Sequence, residues 1–351
     1  MKNKEITQRK TKILATLGPS SSTIKSIIEL SKAGANAFRL NCSHLNEAGL
    51  KDYVRKIRRA EEIIKKPIGI LVDLQGPKIR IGAVSEKDNI LKKDDIFLLD
   101  LNKEIGNKKR VSLPHKKIFE SVKIGHLILL DDGKIHLKAL SVKKDLIKTK
   151  VLQGGHIKSN KGVNLPHTNI KTSALSRIDK KFANIAVKEG VDWIALSFVQ
   201  KPNDIKDLRK ICSNKVSVMA KIEKPSALDH IDSIADLADG IMIARGDLGV
   251  ELPIESVPGW QKKIIRVARV KGKPVVVSTQ MLESMTSSLT PTRAEVSDVA
   301  NAVFEGADAI MLSAESASGD YPVETVKMMN KIALNIEKDS NYNDILSSQL
   351  E

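Results

Sequence analysis

The amino-acid sequence predicts an α/β protein: a (β/α)8 (TIM) barrel that carries an all-β lid domain inserted after strand 3. Three observations predict it. Apolar, β-rich runs alternate with amphipathic stretches, the order that yields parallel strands covered by helices. The alternation breaks off at Lys78 and resumes only after Lys161. Outside that interval the apolar runs number eight, each followed by a helical stretch.

The first run is KILATLG, Lys12 to Gly18, followed by an amphipathic segment from Ile24 to Ala33 that stops at Gly34, a common helix-ending residue. AFRLNCS (Ala37 to Ser43), a helix around Leu50 to Ile64, and IGILVDLQG (Ile68 to Gly76) complete the first βαβ stretch. From Lys78 the runs DIFLLDL, HLILLDDG and IHLKALSV are short and separated by turn residues, which marks the insert; it closes near KGVNLP, Lys161 to Pro166. The rhythm then returns. A helix around Asp179 to Glu189 precedes WIALSFV, a helix from Asp204 precedes SVMAKIE, and a helix from Ala227 precedes GIMIARGD. A helix around Gln261 to Lys271 leads to PVVVSTQ, one from Pro291 leads to AIMLSAES, and a last helix begins near Pro322. The expected boundaries are 1–77 and 162–340 for the barrel, 78–161 for the lid and 341–351 for a C-terminal tail.

The 351 residues are 41% hydrophobic, enough for a large core, and no run reaches the ~18 apolar residues of a membrane span. The polar start MKNKEITQRKTK lacks the apolar stretch of a secretory signal, and two cysteines are too few for a disulfide framework. The expectation is a cytoplasmic protein with no membrane partner. Net charge is +16, and residues 78–160 hold 19 Lys and Arg against 10 Asp and Glu. Aromatics are only 3%, and base stacking normally needs them, so small anionic substrates rather than nucleic acid are the expected partners.

Barrel active sites lie at the C-terminal strand ends. Those ends read Thr16; Arg39, Asn41 and Ser43; Asp73; Ser197; Lys221 and Glu223; Arg245 and Asp247; Thr279; Ser313 and Glu315. Strand alternation puts Lys221 and Glu223 on one face. Glu223 and Asp247 at neighbouring strand ends suit a hard divalent ion such as magnesium, which leaves positions for water and substrate oxygens. A lysine beside such an ion is the grouping phosphoryl transfer needs, since charge there is neutralised by ions and amines. No Walker-type loop or GxGxxG follows a strand, so side chains and metal would hold the phosphates.

At these residues the chain resembles the pyruvate kinase family. The runs TLGPSSS, FRLNCSH, DLQGPKIR, KGVNLP, AKIEKP, ARGDLGVELP and TQMLESMTSSLTPTRAEVSDVANAVFEGADAIMLSAESASGDYP correspond in order to that family's motifs, from about Lys10 to about Lys331. The resemblance implies the last step of glycolysis: magnesium- or manganese-dependent phosphoryl transfer from phosphoenolpyruvate to ADP, giving pyruvate and ATP. By motif, Lys221 is similar to the lysine that stabilises the transferring phosphoryl group, and Glu223 and Asp247 to the divalent-metal ligands. Gly246 and Asp247 match the turn that receives the substrate carboxylate, Thr279 the threonine beside it, and Arg39 the arginine that grips phosphate. Asn41, His44, Arg80 and Lys161 match nucleotide-binding residues, and Asp132 sits in the lid turn. Asn41, Ser43, Asp73 and Leu74 match the monovalent-cation pocket. Cys42 and Leu45 stand where the family usually has Phe and Gly. Leu74, Gln75 and Lys78 stand where many members have Thr, Lys and Glu, so the resemblance implies that Lys78 fills the cation's place and potassium is not required. Typical members continue past this length into a further domain with an effector site, so a short form is expected, with a homo-oligomer through the barrel as a partner expectation. The competing readings are a magnesium-dependent pyruvate aldolase or lyase on the same barrel, and a binding protein without turnover.

Overall fold

Most residues are buried along Lys12–Thr16 (β1), Ala37–Asn41 (β2), Gly69–Asp73 (β3), Trp193–Leu196 (β4), Ser217–Ile222 (β5), Gly240–Ala244 (β6), Val275–Ser278 (β7) and Ala309–Leu312 (β8), and on β2 buried Phe38 and Leu40 alternate with half-buried neighbours. Such strands require cover on both faces. The computed structural model, which describes residues 9–87, 89–166, 168 and 173–348, supplies that cover. The strands close in the order β1-β8-β7-β6-β5-β4-β3-β2, and every neighbouring pair is parallel. The expected (β/α)8 barrel is thus the observed one. The first eight residues and the last three of the expected tail lie outside the described residues.

Alternation divides the apolar side chains into two sets. Leu14, Leu71, Ala195, Met219, Met242, Val276 and Met311 point inward and fill the barrel. Their chain neighbours, such as Ile13, Ile70, Ile194, Val218 and Ile241, point outward into the larger cluster beneath the helices. Those helices are Ile24–Ala33 (α1), Glu47–Ile64 (α2), Arg177–Lys188 (α3), Pro202–Cys212 (α4), Ile231–Leu237 (α5), Val257–Val270 (α6), Arg293–Phe304 (α7) and Pro322–Glu337 (α8). Their ends are chemically marked. Thr23 with Ser26, Ser176 with Asp179, and Thr292 with Glu295 form capping boxes on α1, α3 and α7, and α4 and α8 start on proline.

The insert has its own apolar core, built around Phe97, Leu99, Val111, Ile128, Leu130, Leu137 and Ile147. Its six-stranded sheet runs in the order Val163–Asn164, Leu127–Leu130, Ile135–Val142, Leu146–Gln153, Ile96–Asp100, Arg110–Ser112. A helix, Lys116–Ser121, departs from a purely β composition; KKIFES holds no glycine or proline and buries Ile118 and Phe119 in that core. The chain enters the insert through Gly76, at φ +67, where a Cβ would lie 2.7 Å from Phe198 Cδ2. Gly76 N–H donates to Asp179 Oδ1 at 3.1 Å, so the cap of α3 also fixes the hinge.

The start and end of the barrel are tied together. Glu337, a buried residue at the end of α8, accepts the Lys10 N–H at 2.6 Å and the Thr11 N–H at 2.7 Å. The Arg9 guanidinium donates to Gly34 O, Asn36 Oδ1 and Asn330 Oδ1, which joins α1, β2 and α8. Glu337→Ala leaves those N–H groups without an acceptor and is expected to cost about 2 kcal/mol or more in urea unfolding. A loss below about 0.5 kcal/mol, within the range of an ordinary surface substitution, would rule out this contact as the closing element.

Candidate active site

The inner apolar layer dictates where the polar site begins. Two residues further along each strand the side chain points inward again. Leu14 is followed by Thr16, Ala37 by Arg39, Leu71 by Asp73, Ala195 by Ser197, Met219 by Lys221 and Val276 by Ser278. The floor of the mouth is therefore polar at nearly every strand.

Lys221 is its centre. The Nζ donates to Ser197 Oγ at 2.7 Å and lies 2.9 Å from Glu223 Oε1 and 3.1 Å from Asp73 Oδ1. Three acceptors therefore match the three protons of the ammonium. Asp73 Oδ2 accepts from Arg39 Nε at 2.7 Å; Arg39 Nη1 donates to Thr16 Oγ1 at 3.2 Å. Asp73 and Glu223 are each 1% exposed and Lys221 is 8% exposed, so two cations and two carboxylates interact where water screens little. Burial favours the neutral Lys221 amine, but Asp73 and Glu223 outweigh it and raise the group above the ordinary lysine value. Burial also raises Asp73; Lys221 and Arg39 more than offset this and hold it below the usual carboxylate range. Glu223 goes the other way. Its burial dominates, the Asp247 charge adds to it, and its carboxyl is raised despite Lys221.

That rise makes the pair a fitting divalent-ion site. Glu223 and Asp247 are hard oxygen donors close enough to repel, and a cation between them would relieve the repulsion. Among the described residues no group of three or more His, Cys, Asp or Glu is arranged to hold a metal, so water and substrate would supply the other positions. The remaining Glu223 oxygen accepts the Phe198 N–H at 2.8 Å, with Phe198 at φ +56.

Asp247 sits on the short helix Arg245–Glu251. Arg245 grips both oxygens of Asp298, at 2.6 and 2.7 Å, and donates to Thr279 O at 2.7 Å. Thr279 and Gln280 have φ +71 and +53, a conformation that costs a non-glycine residue on the order of 1 kcal/mol or more and needs surrounding support. The turn aims Thr279 Oγ1 at the Gly246 N–H, 2.7 Å away. The Gly246 N–H is thus donated to Thr279 Oγ1, within the turn that the sequence resemblance matches to the one receiving the substrate carboxylate.

The other sequence candidates fall into three places. Asn41 and Asp73 are register partners on β2 and β3; Asn41 Oδ1 accepts the Ser43 N–H at 3.1 Å, and Leu74 is buried beside them. Lys78 does not pair with Asp73: its Nζ lies 3.9 Å from Asp247 Oδ1, and Arg39 and Lys221 serve Asp73 instead. His44 is exposed on the turn after β2, while Arg80 and Lys161 lie on the two segments that enter and leave the insert, which a bridge from Arg80 to Gly162 joins. Lys161 pairs at 2.8 Å with Asp131, the neighbour of Asp132. A cleft of about 260 Å³, open to solvent, runs between hinge and barrel, with Lys78, Phe198, Lys224, Asp247 and Glu251 in its lining. Sequence reading did not single out Asp298, Lys224 or Glu251. Their acceptors and donors lie on other elements, so no local pattern in the sequence signals the pairings.

A carboxylate held low, as Asp73 is, stabilises the fold above its unfolded pKa of about 3.9, and the contribution fades as pH falls through the folded value. Wild type is therefore expected to lose stability faster than Asp73→Asn between about pH 5 and 3. Parallel stability curves over that window would contradict the assignment.

Comparison with known proteins points one way. The family model described as pyruvate kinase, barrel domain, matches residues 8–326. A pyruvate kinase of Methylorubrum extorquens is 52% identical over 341 residues, covering 97% of this chain and 71% of that protein. One from Agrobacterium vitis is 49% identical, covering 97% and 72%. The crystal structure of a pyruvate kinase from Cryptosporidium parvum superposes with TM-score 0.93 at 36% identity, covering 99% of this chain and 74% of that one. An eight-stranded parallel barrel, matched along nearly its whole length at this identity, places the chain in the pyruvate kinase family, as a phosphotransferase.

Proposed function

We propose that this enzyme transfers the phosphoryl group of phosphoenolpyruvate to ADP, with Mg2+ or Mn2+, giving pyruvate and ATP. The observation that carries the reading is the Lys221 ammonium, fixed by three acceptors at the floor of the barrel mouth. It is a preorganised positive charge in a poorly screened site, which costs no reorganisation when charge develops opposite it. Arg39, held by Asp73 and Thr16, presents the rest of its guanidinium to the phosphoryl oxygens. Glu223 and Asp247 would hold the divalent ion, which supplies Lewis-acid charge for the substrate's oxygens. Thr279, with Gly246 and Asp247, orients the three-carbon unit. Asn41, His44, Arg80 and Lys161 bind the nucleotide phosphates.

In this reading residues 1–77 and 162–340 form the catalytic barrel, 78–161 a lid that excludes water, and 341–351 a tail. The reading includes work on small metabolites in the cytoplasm, without nucleic acid or membrane partners. Association through the barrel is part of the reading.

Lys221→Met is expected to lower phosphoryl transfer by at least ~100-fold, about 3 kcal/mol of barrier, while leaving Mn2+ binding and metal-dependent proton exchange at the pyruvate methyl measurable. Loss of Mn2+ binding, or a near-normal rate, would show that Lys221 does not face the phosphoryl group. We propose further that potassium is not required. Arg39 and Lys221 already neutralise Asp73, and Lys78 adds a third cation at the Asp247 side of the site. In potassium-free, sodium-free buffer with tetramethylammonium, wild type is expected to run near its maximum, and Lys78→Glu to be slow until potassium is added. Strong activation of wild type by potassium would overturn this.

A further inference from the structure

Glu251 is the most tightly enclosed acid outside the Lys221 cluster that faces the cleft, with its side chain 1% exposed. Burying a carboxylate is costly unless it is paired. Its partners come from two other segments. Lys224, the residue after Glu223, pairs with Oε1, and Asn164 Nδ2 donates to the same oxygen at 2.8 Å. Asn164 is itself 5% exposed and lies on the strand by which the insert returns to the barrel, three residues after Lys161. Lys224 also stands 5.8 Å over the ring of Phe198, whose N–H holds Glu223. The insert's Asp131–Gly133 turn also approaches this helix: a Cβ added at Gly133 would stand 3.6 Å from Cγ1 of Val250, the neighbour of Glu251.

One buried oxygen thus joins the insert, the loop after β5 and the helix that carries Asp247. We propose that Glu251 is a positioning residue for phosphoryl transfer: through Asn164 and Lys224 it anchors the insert and the β5 loop to the Arg245–Glu251 helix, so that the docked insert is held against the metal-ligand helix. The inference rests on the kinase reading above. Its physics is that of a two-state contact. With Asn164 in place, Glu251 has two partners and no water. When the insert swings away, Glu251 keeps Lys224 and gains water, so neither state strands a charge and the balance is set by one hydrogen bond of the charge-assisted kind.

The test exchanges the two polar groups in the full chain. Asn164→Asp removes the donor and sets a second carboxylate against Glu251. Asn164→Asp combined with Glu251→Gln restores one carboxylate, one amide and a partner for Lys224, with positions swapped. The single variant is expected to raise KM for ADP about tenfold, with kcat within about threefold and melting temperature close to wild type; the double variant should recover KM to within about threefold. Hydrogen exchange of the unliganded protein at Leu127–Leu130 and Val163–Asn164 should rise in the single variant and fall back in the double. Exchange needs no turnover, so that pattern in a protein that makes no pyruvate would uphold the anchor and sink the kinase reading. Wild-type KM and exchange in Asn164→Asp would overturn the proposal. So would a defect that the swap fails to repair, or a shift of melting temperature alone. Should Asn164→Asp not fold, Asn164→Ala carries the same test, with both readouts expected to rise and unchanged values overturning the inference.

Discussion

The site depends on keeping an ammonium buried. Lys221 is tolerated at 8% exposure because Asp73, Glu223 and Ser197 take its three protons, and the two carboxylates are tolerated because Lys221 bridges them and Arg39 also pairs with Asp73. Removing any one member strands another, since a buried charge without a partner costs several kcal/mol. The cluster is therefore held as a unit. It draws on five strands, with Thr16 on β1, Arg39 on β2, Asp73 on β3, and Ser197 and Lys221 with Glu223 at the ends of β4 and β5. Barrel closure brings these ends together, so the fold and the charge cluster support each other.

A second support lies opposite. The left-handed turn at Thr279 and Gln280 would relax without a strong contact, and Arg245 supplies one by binding Thr279 O while Asp298 on α7 fixes its guanidinium. The same arginine opens the helix of Asp247 and Glu251. Strain in the turn, the aim of Thr279 Oγ1 and the placement of Asp247 are consequences of one side chain's pairing.

The eight strands were legible because each is a short apolar run with a helical stretch after it, and the site because period 2 fixes which residue beyond the inner layer faces the mouth. Lys221, Glu223 and Asp73 follow from that rule alone. What was not legible depends on contacts between distant segments. Lys78, next to the insert hinge, meets Asp247 rather than Asp73, because hinge direction rather than sequence distance decides where a long side chain lands. Gly246 gives its N–H to Thr279, which requires the positive φ of a non-glycine residue that no local pattern announces. Glu251 is invisible for the same reason: its acceptor role exists only once Asn164 has come back across the insert. The insert's helix at Lys116–Ser121 escaped notice because six residues are too few to display a period.

In the proposed function this charge cluster moves a phosphoryl group between two substrates. The most direct measurement is the yield of pyruvate and ATP from phosphoenolpyruvate by the purified full chain with Mg2+, with ADP present and with ADP omitted. Equal amounts of pyruvate and ATP are expected with ADP, and neither without it. Pyruvate formed without ADP, or no product under either condition while Mg2+ and phosphoenolpyruvate bind, would contradict that function.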